Sequence, residues 1–261
     1  MTPPTIPLAP IDKRGERIKA MFASIAPRYD LLNRLLSLRI DQRWRRKVVE
    51  ILPPDDSNKP ILDVCTGTGD LAILYAQRYP NVELVGADFC APLLERAKLK
   101  SQKLGARIDW READALSLPF ADDAFQITMV AFGLRNVADT DAGLRELARV
   151  TADGGRVAIL EFSTPTTQPL RASYLFYFQR VLPWIGQRLA PNRDAAYHYL
   201  PASVLEFPER EALVRRMESA GLLDVAIHPL TFGVATLYIG RKRVTAPTPA
   251  SQPEDSDRST A

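Results

Sequence analysis

The feature that most constrains this chain is an alternation between residues 60 and 165, where short apolar runs are each followed by a helical pattern. ILDVC (61–65) precedes a helix expected near 70–79, and VELVGAD (82–88) precedes one near 92–104. RIDWREAD (107–114) follows, then FQITMVAFG (125–133), a helix near 140–150 and GRVAILEF (155–162). Strands linked by helices of 10–15 residues run parallel, because each helix carries the chain back across the sheet before the next strand begins. After a further helix near 209–220 come DVAIHPL (224–230) and VATLYIGR (234–241), joined by a link too short for a crossover. Those two must pair antiparallel. The expectation is an α/β fold: a doubly wound, mostly parallel seven-stranded sheet closed by an antiparallel edge hairpin.

Around this core the pattern changes. Residues 1–11 and 244–261 are rich in proline or in serine and acids, with little to bury, and read as tails. Between them a single domain is expected over 12–243. It divides into a helical cap at 12–52, a core at 60–165, a lid at 166–205 and a closing helix and hairpin at 206–243. The cap carries Met21, Phe22, Ile25, Tyr29, Leu32 and Leu36 at helical spacing, with Pro27 expected to bend or split the run. From Lys13 to Lys47 there are eleven Lys or Arg and three Asp or Glu, a local balance of +8, with Arg39, Arg43 and Arg46 on one helical face. That face is either simply solvated or meets anionic lipid headgroups.

Whole-chain charge is only +3, too weak a bias for a dedicated nucleic-acid binder. Cys65 and Cys90 are too few for a disulfide framework or a four-thiolate zinc site, and His198 and His228 are the two histidines. No run of about 18 apolar residues occurs, and the proline-rich start lacks the order of a signal peptide. A cytoplasmic protein is expected, with room for peripheral contact at the inner face of the membrane.

In a doubly wound sheet, ligands bind beyond the carboxyl ends of the strands. The first such end reads Asp63-Val-Cys-Thr-Gly-Thr-Gly-Asp70, and Gly67, Gly69 and Ala72 satisfy G-x-G-x-x-G/A. Asp88 ends the second strand, where an acid can bind ribose hydroxyls. Charge then separates two cofactor classes. A dinucleotide sets a pyrophosphate against this loop, where Asp63 and Asp70 would repel it. S-adenosylmethionine carries an ammonium and a sulfonium, so carboxylates there are favourable. Asp63 either faces that ammonium or braces the loop, and Asp70 is expected to cap the following helix. Asp114 and Ala115 end the third strand, suited to the adenine amino group or to a turn, and Phe89 either packs on adenine or fills the core. The fourth strand ends in Ala131-Phe132-Gly133-Leu134-Arg135-Asn136, small residues beside a cation and an amide.

These segments, with Asp114-Ala-Leu-Ser-Leu-Pro-Phe120, Leu160-Glu-Phe-Ser163, Met21-Phe-Ala-Ser-Ile-Ala-Pro-Arg-Tyr-Asp30 and Tyr197-His-Tyr-Leu-Pro201, resemble the C-methyltransferases of menaquinone and ubiquinone synthesis. The resemblance spans about 12–243. It implies the class I S-adenosylmethionine-dependent methyltransferase fold and methyl transfer to a ring carbon of a reduced polyprenylated quinone precursor. By matching motif positions it carries cofactor contacts to Thr68 in the glycine loop, Asp88, Asp114 and Ala115; Asp63, Gly67, Gly69, Phe89 and Ala131 join them on the reading above. Ala131 stands where ubiquinone-linked members often have Ser, which leans the substrate toward demethylmenaquinol over a methoxybenzoquinol.

Carbon methylation needs an electron-rich ring carbon aimed at the sulfonium methyl, best supplied by an ionised hydroquinol in a dry site. It requires no metal, in keeping with the few histidines and cysteines. Arg135 is expected to stabilise the phenolate and Asn136 to orient the ring oxygen. Tyr29, Tyr197 and His198 are candidates for base or pocket wall. Residues 170–190 form an apolar, proline-bent segment suited to a lid and prenyl channel resting on an anionic membrane surface. The rivals are a nucleic-acid methyltransferase, for which no aromatic stacking segment follows the fourth strand, an NAD oxidoreductase, which Asp63 opposes, and a non-catalytic cofactor binder.

Overall fold

A computed structural model describes residues 15–181 and 194–244. Its centre is one seven-stranded sheet in the order β3-β2-β1-β4-β5-β7-β6. The strands are β1 (Ile61–Val64), β2 (Leu84–Asp88), β3 (Asp109–Glu112), β4 (Phe125–Ala131), β5 (Thr151–Phe162), β6 (Leu222–Leu230) and β7 (Ala235–Lys242). Pairs among β1 to β5 are parallel, and β7 is antiparallel to both of its neighbours, β5 and β6. The hairpin expected at the edge is therefore present with its second strand turned inward. β7 reads Ala-Thr-Leu-Tyr-Ile, buried throughout its first four residues, whereas β6 is half exposed and stands at the margin.

The helices follow the apolar pattern. α4 (Asp70–Arg78), α5 (Ala91–Lys103) and α6 (Thr140–Val150) are the crossovers. α6 begins where Asp139 accepts hydrogen bonds from the backbone N–H of Asp141 and Ala142, a cap worth ~1 kcal/mol. β1 is buried along its whole length, Ile-Leu-Asp-Val, because helices cover both faces of the sheet. Burying each such aliphatic side chain contributes roughly 1.5–3 kcal/mol. Asp63 is carried into this interior with them, 1% exposed.

The cap comprises α1 (Gly15–Ile25), α2 (Tyr29–Leu36) and α3 (Ile40–Ile51). Pro27 does split the first run: Ala26–Arg28 is a 3-10 turn between α1 and α2. α3 buries Trp44, Val48 and Val49 in one apolar cluster with Ile61, Leu71 and Tyr75. Its opposite face exposes Arg43, Arg46 and Lys47, but Arg45 turns inward. After β5 come α7 (Leu170–Phe176), a π-helical turn Tyr177–Val181, α8 (Asp194–Glu206) and α9 (Glu211–Ser219). Apart from Val244, the expected tails lie outside the described residues, as do 182–193 of the expected lid and the side chains of Tyr197 and His198.

Candidate active site

Three cavities meet above the carboxyl ends of β1, β2 and β4, and Tyr29 lines all three. The first lies between the strand ends and α1; Phe22, Gly67, Asp88, Phe89, Asp114 and Ala115 line it. Gly67 adopts φ +60, and a Cβ there would meet the Tyr29 ring at 3.5 Å. Gly69 makes a second close approach. With φ +78 it underlies Trp110, whose ring would stand 2.4 Å from an added Cβ, so this glycine makes room for a β3 side chain.

The Asp88 carboxylate accepts hydrogen bonds from Gly67 N–H at 2.8 Å and Cys90 N–H at 2.9 Å, tying the end of β2 to the glycine loop. Burial pushes its carboxyl up to about 6 against the pull of these bonds. Asp114 accepts from Leu116 N–H at 2.9 Å, so its turn-forming role is realised beside the cavity it lines. Asn136 also lines this cavity, and its Oδ1 is buried with no partner among the described residues. Met21 of the cap does not line it, while Phe22 and Tyr29 do.

The second cavity is small and polar, lined by Asp63, Thr66, Thr68, Asp70, Arg45 and Ala131 among others. Asp63 Oδ2 accepts from Thr66 Oγ1 at 2.6 Å and so braces the loop, but Oδ1 is buried without a partner among the described residues. Burial drives this carboxyl up to about 7 despite the Thr66 bond and the nearby Arg45. A buried acceptor with no donor is the kind of group that a cationic ligand completes.

Thr68 turns away from the loop. Its Oγ1 donates to Asp30 at 2.5 Å and accepts from Lys100 Nζ at 3.0 Å, and Lys100 pairs with Asp30 and Asp70, each at 2.7 Å. The Asp70 cap expected from sequence is not what forms. Gly69 is the cap residue, with no side-chain bond, while Asp70 spends its carboxylate on Lys100. Burial would raise the Asp70 carboxyl, yet Arg45, Lys100 and Arg34 together hold it low.

The third cavity is aromatic and lies between the cap, the ends of β4 and β5, and α7. Trp44, Phe132, Phe162, Tyr174 and Phe178 form its walls, with Phe132 and Phe162 ring centres 4.6 Å apart and Tyr174 and Phe178 4.5 Å apart. Arg135 enters it through the 3-10 turn Leu134–Asn136, its guanidinium 5.3 Å from the Phe162 ring centre. Glu161, 1% exposed, accepts from Arg135 backbone N–H at 3.2 Å and from its Nη1 at 2.9 Å. Nη1 also donates to the Phe132 carbonyl. Arg135 Nε is buried and unpartnered among the described residues, as is the Tyr174 hydroxyl.

Arg135 and Asn136, adjacent in sequence, thus line different cavities, the aromatic one and the first. Ala131 belongs to the small polar cavity. Phe132 stands between the first and third and lines both, in a backbone conformation with φ +60. Several residues lay beyond local sequence reading. Arg45 and Trp44 carry no motif signal of their own, and Glu161 and Phe162 stood in a family-like segment without a role assigned to either. Tyr199, from the same segment as Tyr197 and His198, has a buried hydroxyl without a partner among the described residues, whose pKa burial raises to about 12, with the Arg135 and Glu161 charges close enough to act on it.

A parallel sheet with one inserted antiparallel strand, a glycine loop after β1 and an acid ending β2 define a class I S-adenosylmethionine-dependent methyltransferase fold. Solved structures share it: a methyltransferase from Thermotoga maritima (TM-score 0.62, 16% identity, covering 87% of this chain and all of that one) and the [4+2]-cyclase SpnF (TM-score 0.64, 17% identity, 92% and 99%). The second catalyses different chemistry on the same frame, so fold alone names no reaction.

Sequence decides further. The model of the ubiE/COQ5 methyltransferase family matches residues 11–242, and the chain belongs to that family. The demethylmenaquinone methyltransferase of Thermus thermophilus is 50% identical over 220 residues, covering 84% of this chain and 99% of the relative. The ubiquinone/menaquinone biosynthesis C-methyltransferase of a Geobacter species is 48% identical over 235 residues, covering 89% and 99%.

Proposed function

We propose that this protein transfers a methyl group from S-adenosylmethionine to a ring carbon of a reduced polyprenylated naphthoquinol, converting demethylmenaquinol to menaquinol. The observation that carries the reading is the meeting of two unlike clefts at the shared side chains Tyr29 and Phe132. One is bordered by the glycine loop, Asp88 and Asp114 and suits an adenosyl group. The other is aromatic and suits a flat, apolar ring.

The cofactor fits the residues present. Lining one cleft, Asp88 would hold the ribose hydroxyls, Asp114 and Ala115 would take the adenine edge, and Phe89 would pack on its ring. The unpaired Asp63 oxygen suits the ammonium. When bound, S-adenosylmethionine supplies an electrophilic methyl on sulfur. On transfer the sulfur–methyl bond would break to leave S-adenosylhomocysteine, and the proton on the methylated ring carbon would pass to a water polarised beside Arg135, restoring aromaticity.

Arg135 supports ionisation of the quinol. Its unpaired Nε–H is a buried donor in the aromatic cleft, suited to a phenolate oxygen. Glu161 holds the guanidinium in place, and it accepts from Arg135 N–H, Arg135 Nη1 and Phe162 N–H, which leaves it a positioning partner instead of a base. Tyr29 is kept protonated, since burial raises its hydroxyl despite the Asn33 hydrogen bond and the charges of Arg45 and Arg135. It acts as wall and hydrogen-bond donor. Asn136 sits on the cofactor side of Phe132.

The prenyl tail needs an apolar exit. Leu38, which lines the aromatic cleft, is 71% exposed, and Phe232, next to the lining residue Thr231, is 82% exposed. With Arg39 beside Leu38, these support docking of the cleft mouth on an anionic membrane surface. Among the described residues no helix is long and apolar enough to cross a membrane.

The test is methyl transfer from labelled cofactor to reduced demethylmenaquinol and, separately, to a prenylated methoxybenzoquinol. Label in the naphthoquinol alone is the expected result. The Geobacter relative's name, which covers both quinones, favours a second reading in which both acceptors take label. No label in either would overturn the assignment.

A further inference from the structure

We propose that Arg45, supplied by the cap helix α3, is the residue that binds the α-carboxylate of the amino-acid end of S-adenosylmethionine. The inference rests on the cofactor placement above and adds the cap to the cofactor site. Of the basic residues on α3, Arg43, Arg46 and Lys47 face solvent, whereas Arg45 is buried and lines both the small polar cavity and the aromatic cleft.

The polar cavity has the complementarity of a zwitterion site. At one side Asp63 offers a buried Oδ1 that completes no hydrogen bond among the described residues, although the Ala72 N–H lies near enough to act on the carboxyl. Asp70, the other acid lining it, is already paired with Lys100 at 2.7 Å. Arg45 is the cation in the lining. An α-amino acid brings an ammonium and a carboxylate two bonds apart, and these two groups answer Asp63 and Arg45 respectively.

Arg45 is also held as an anchor is held. Its Nη1 donates to Asp41 Oδ2, Asp41 accepts in turn from Ser37 Oγ at 2.6 Å, and the guanidinium lies 5.3 Å from the Phe132 ring centre. The Asp41 bond occupies one terminal nitrogen, and the fork retains further N–H donors. The Arg45 charge reaches into the cavity, lowering the carboxyls of both Asp63 and Asp70 against their burial.

The experiment compares two ligands by calorimetry: S-adenosylhomocysteine, which has the amino-acid end, and 5′-methylthioadenosine, which lacks it. The proteins are wild type, Arg45→Lys and the double variant Asp41→Asn/Arg45→Gln, the last removing both charges so that no buried carboxylate is stranded. We expect S-adenosylhomocysteine to bind the double variant roughly 10- to 100-fold more weakly, with 5′-methylthioadenosine within about twofold of wild type. Arg45→Lys should recover part of the loss. Parallel weakening of both ligands, or no weakening of either, would overturn the role of Arg45. Failure of wild type to bind either ligand would instead overturn the cofactor site on which the inference rests.

Discussion

The cofactor cleft and the aromatic cleft share a wall but are assembled differently. Most of the first is drawn from one stretch of chain, Cys65 to Ala138, with Gly15, Phe22 and Tyr29 added from the cap. Its groups are backbone amides, carboxylates and glycines at strand ends. The second gathers Tyr29, Trp44, Phe132, Phe162, Phe178 and Val234 from parts of the chain some 200 residues apart, and its fixed charges are Arg135 and the Arg45–Asp41 pair. A cleft built at strand ends is specified by local motifs, since a tight turn imposes its residues wherever it occurs. A cleft built by packing is specified by which elements meet.

The largest expected effect tests the buried pair of the aromatic cleft. Arg135→Ala strands Glu161 at 1% exposure and should cost ~3–5 kcal/mol of stability along with nearly all turnover. Arg135→Lys retains the charge but not the Nε donor; turnover should fall about 100-fold with a much smaller change in melting temperature. Wild-type turnover in Arg135→Lys would remove the donor from the mechanism.

Next comes Asp63. Asp63→Asn should weaken cofactor binding roughly tenfold while leaving the quinol KM unchanged. The acid also sets a pH dependence. Its folded-state pKa, about 7, lies above the ordinary 3.8, because burial outweighs Thr66 and Arg45 while Asp88 adds to the rise. Its stabilising contribution is thus complete below pH 4 and is lost as pH rises through 7. Asp88, raised to about 6, acts in the same direction. The free protein should melt lower at pH 7 than at pH 5 to a greater extent than Asp63→Asn does. Cofactor binding below pH 7 should release a proton, measurable by calorimetry in buffers of different ionisation enthalpy. A proton count of zero at pH 6 would contradict this account.

Trp44→Phe is a milder probe of the aromatic side. It removes the 2.8 Å bond from Trp44 Nε1 to Thr231 Oγ1 that ties α3 to the β6–β7 link. The quinol KM should rise several-fold, with S-adenosylhomocysteine affinity unchanged; equal loss of both would mean that the two clefts are one energetic unit. The smallest effect falls at the rim. Phe232→Ser with Leu38→Ser should leave turnover on a short-chain soluble quinol intact and reduce cosedimentation with anionic liposomes a few-fold. Equal sedimentation of variant and wild type would argue against docking through this mouth.

Much of the fold was legible in the residues. The 60–165 alternation specifies parallel crossovers because a helix must return the chain, and Asp63, Gly67, Asp88, Asp114 and Ala115 follow from their places at strand ends. Even Pro27 splits the cap helix for the reason its missing N–H dictates. Other features were not legible. Gly69 reads as a ligand glycine, yet its lack of a Cβ also accommodates Trp110, 41 residues on, a contact that β3 pairing with β2 creates. Asp70 looks like a cap and is drawn to Lys100 on the neighbouring crossover.

The sequence alone determined the strand-end chemistry: an acidic glycine loop after the first strand, and a sheet that must be doubly wound. Tertiary structure alone decided that β7 inserts between β5 and β6, that Arg135 and Asn136 part to opposite sides of Phe132, and that Arg45, among four neighbouring basic residues, turns inward. The physical reason is one of range. Turn geometry and hydrophobic period act over a few residues and are written locally, whereas the partner of a buried charge is settled by whichever element packs against it.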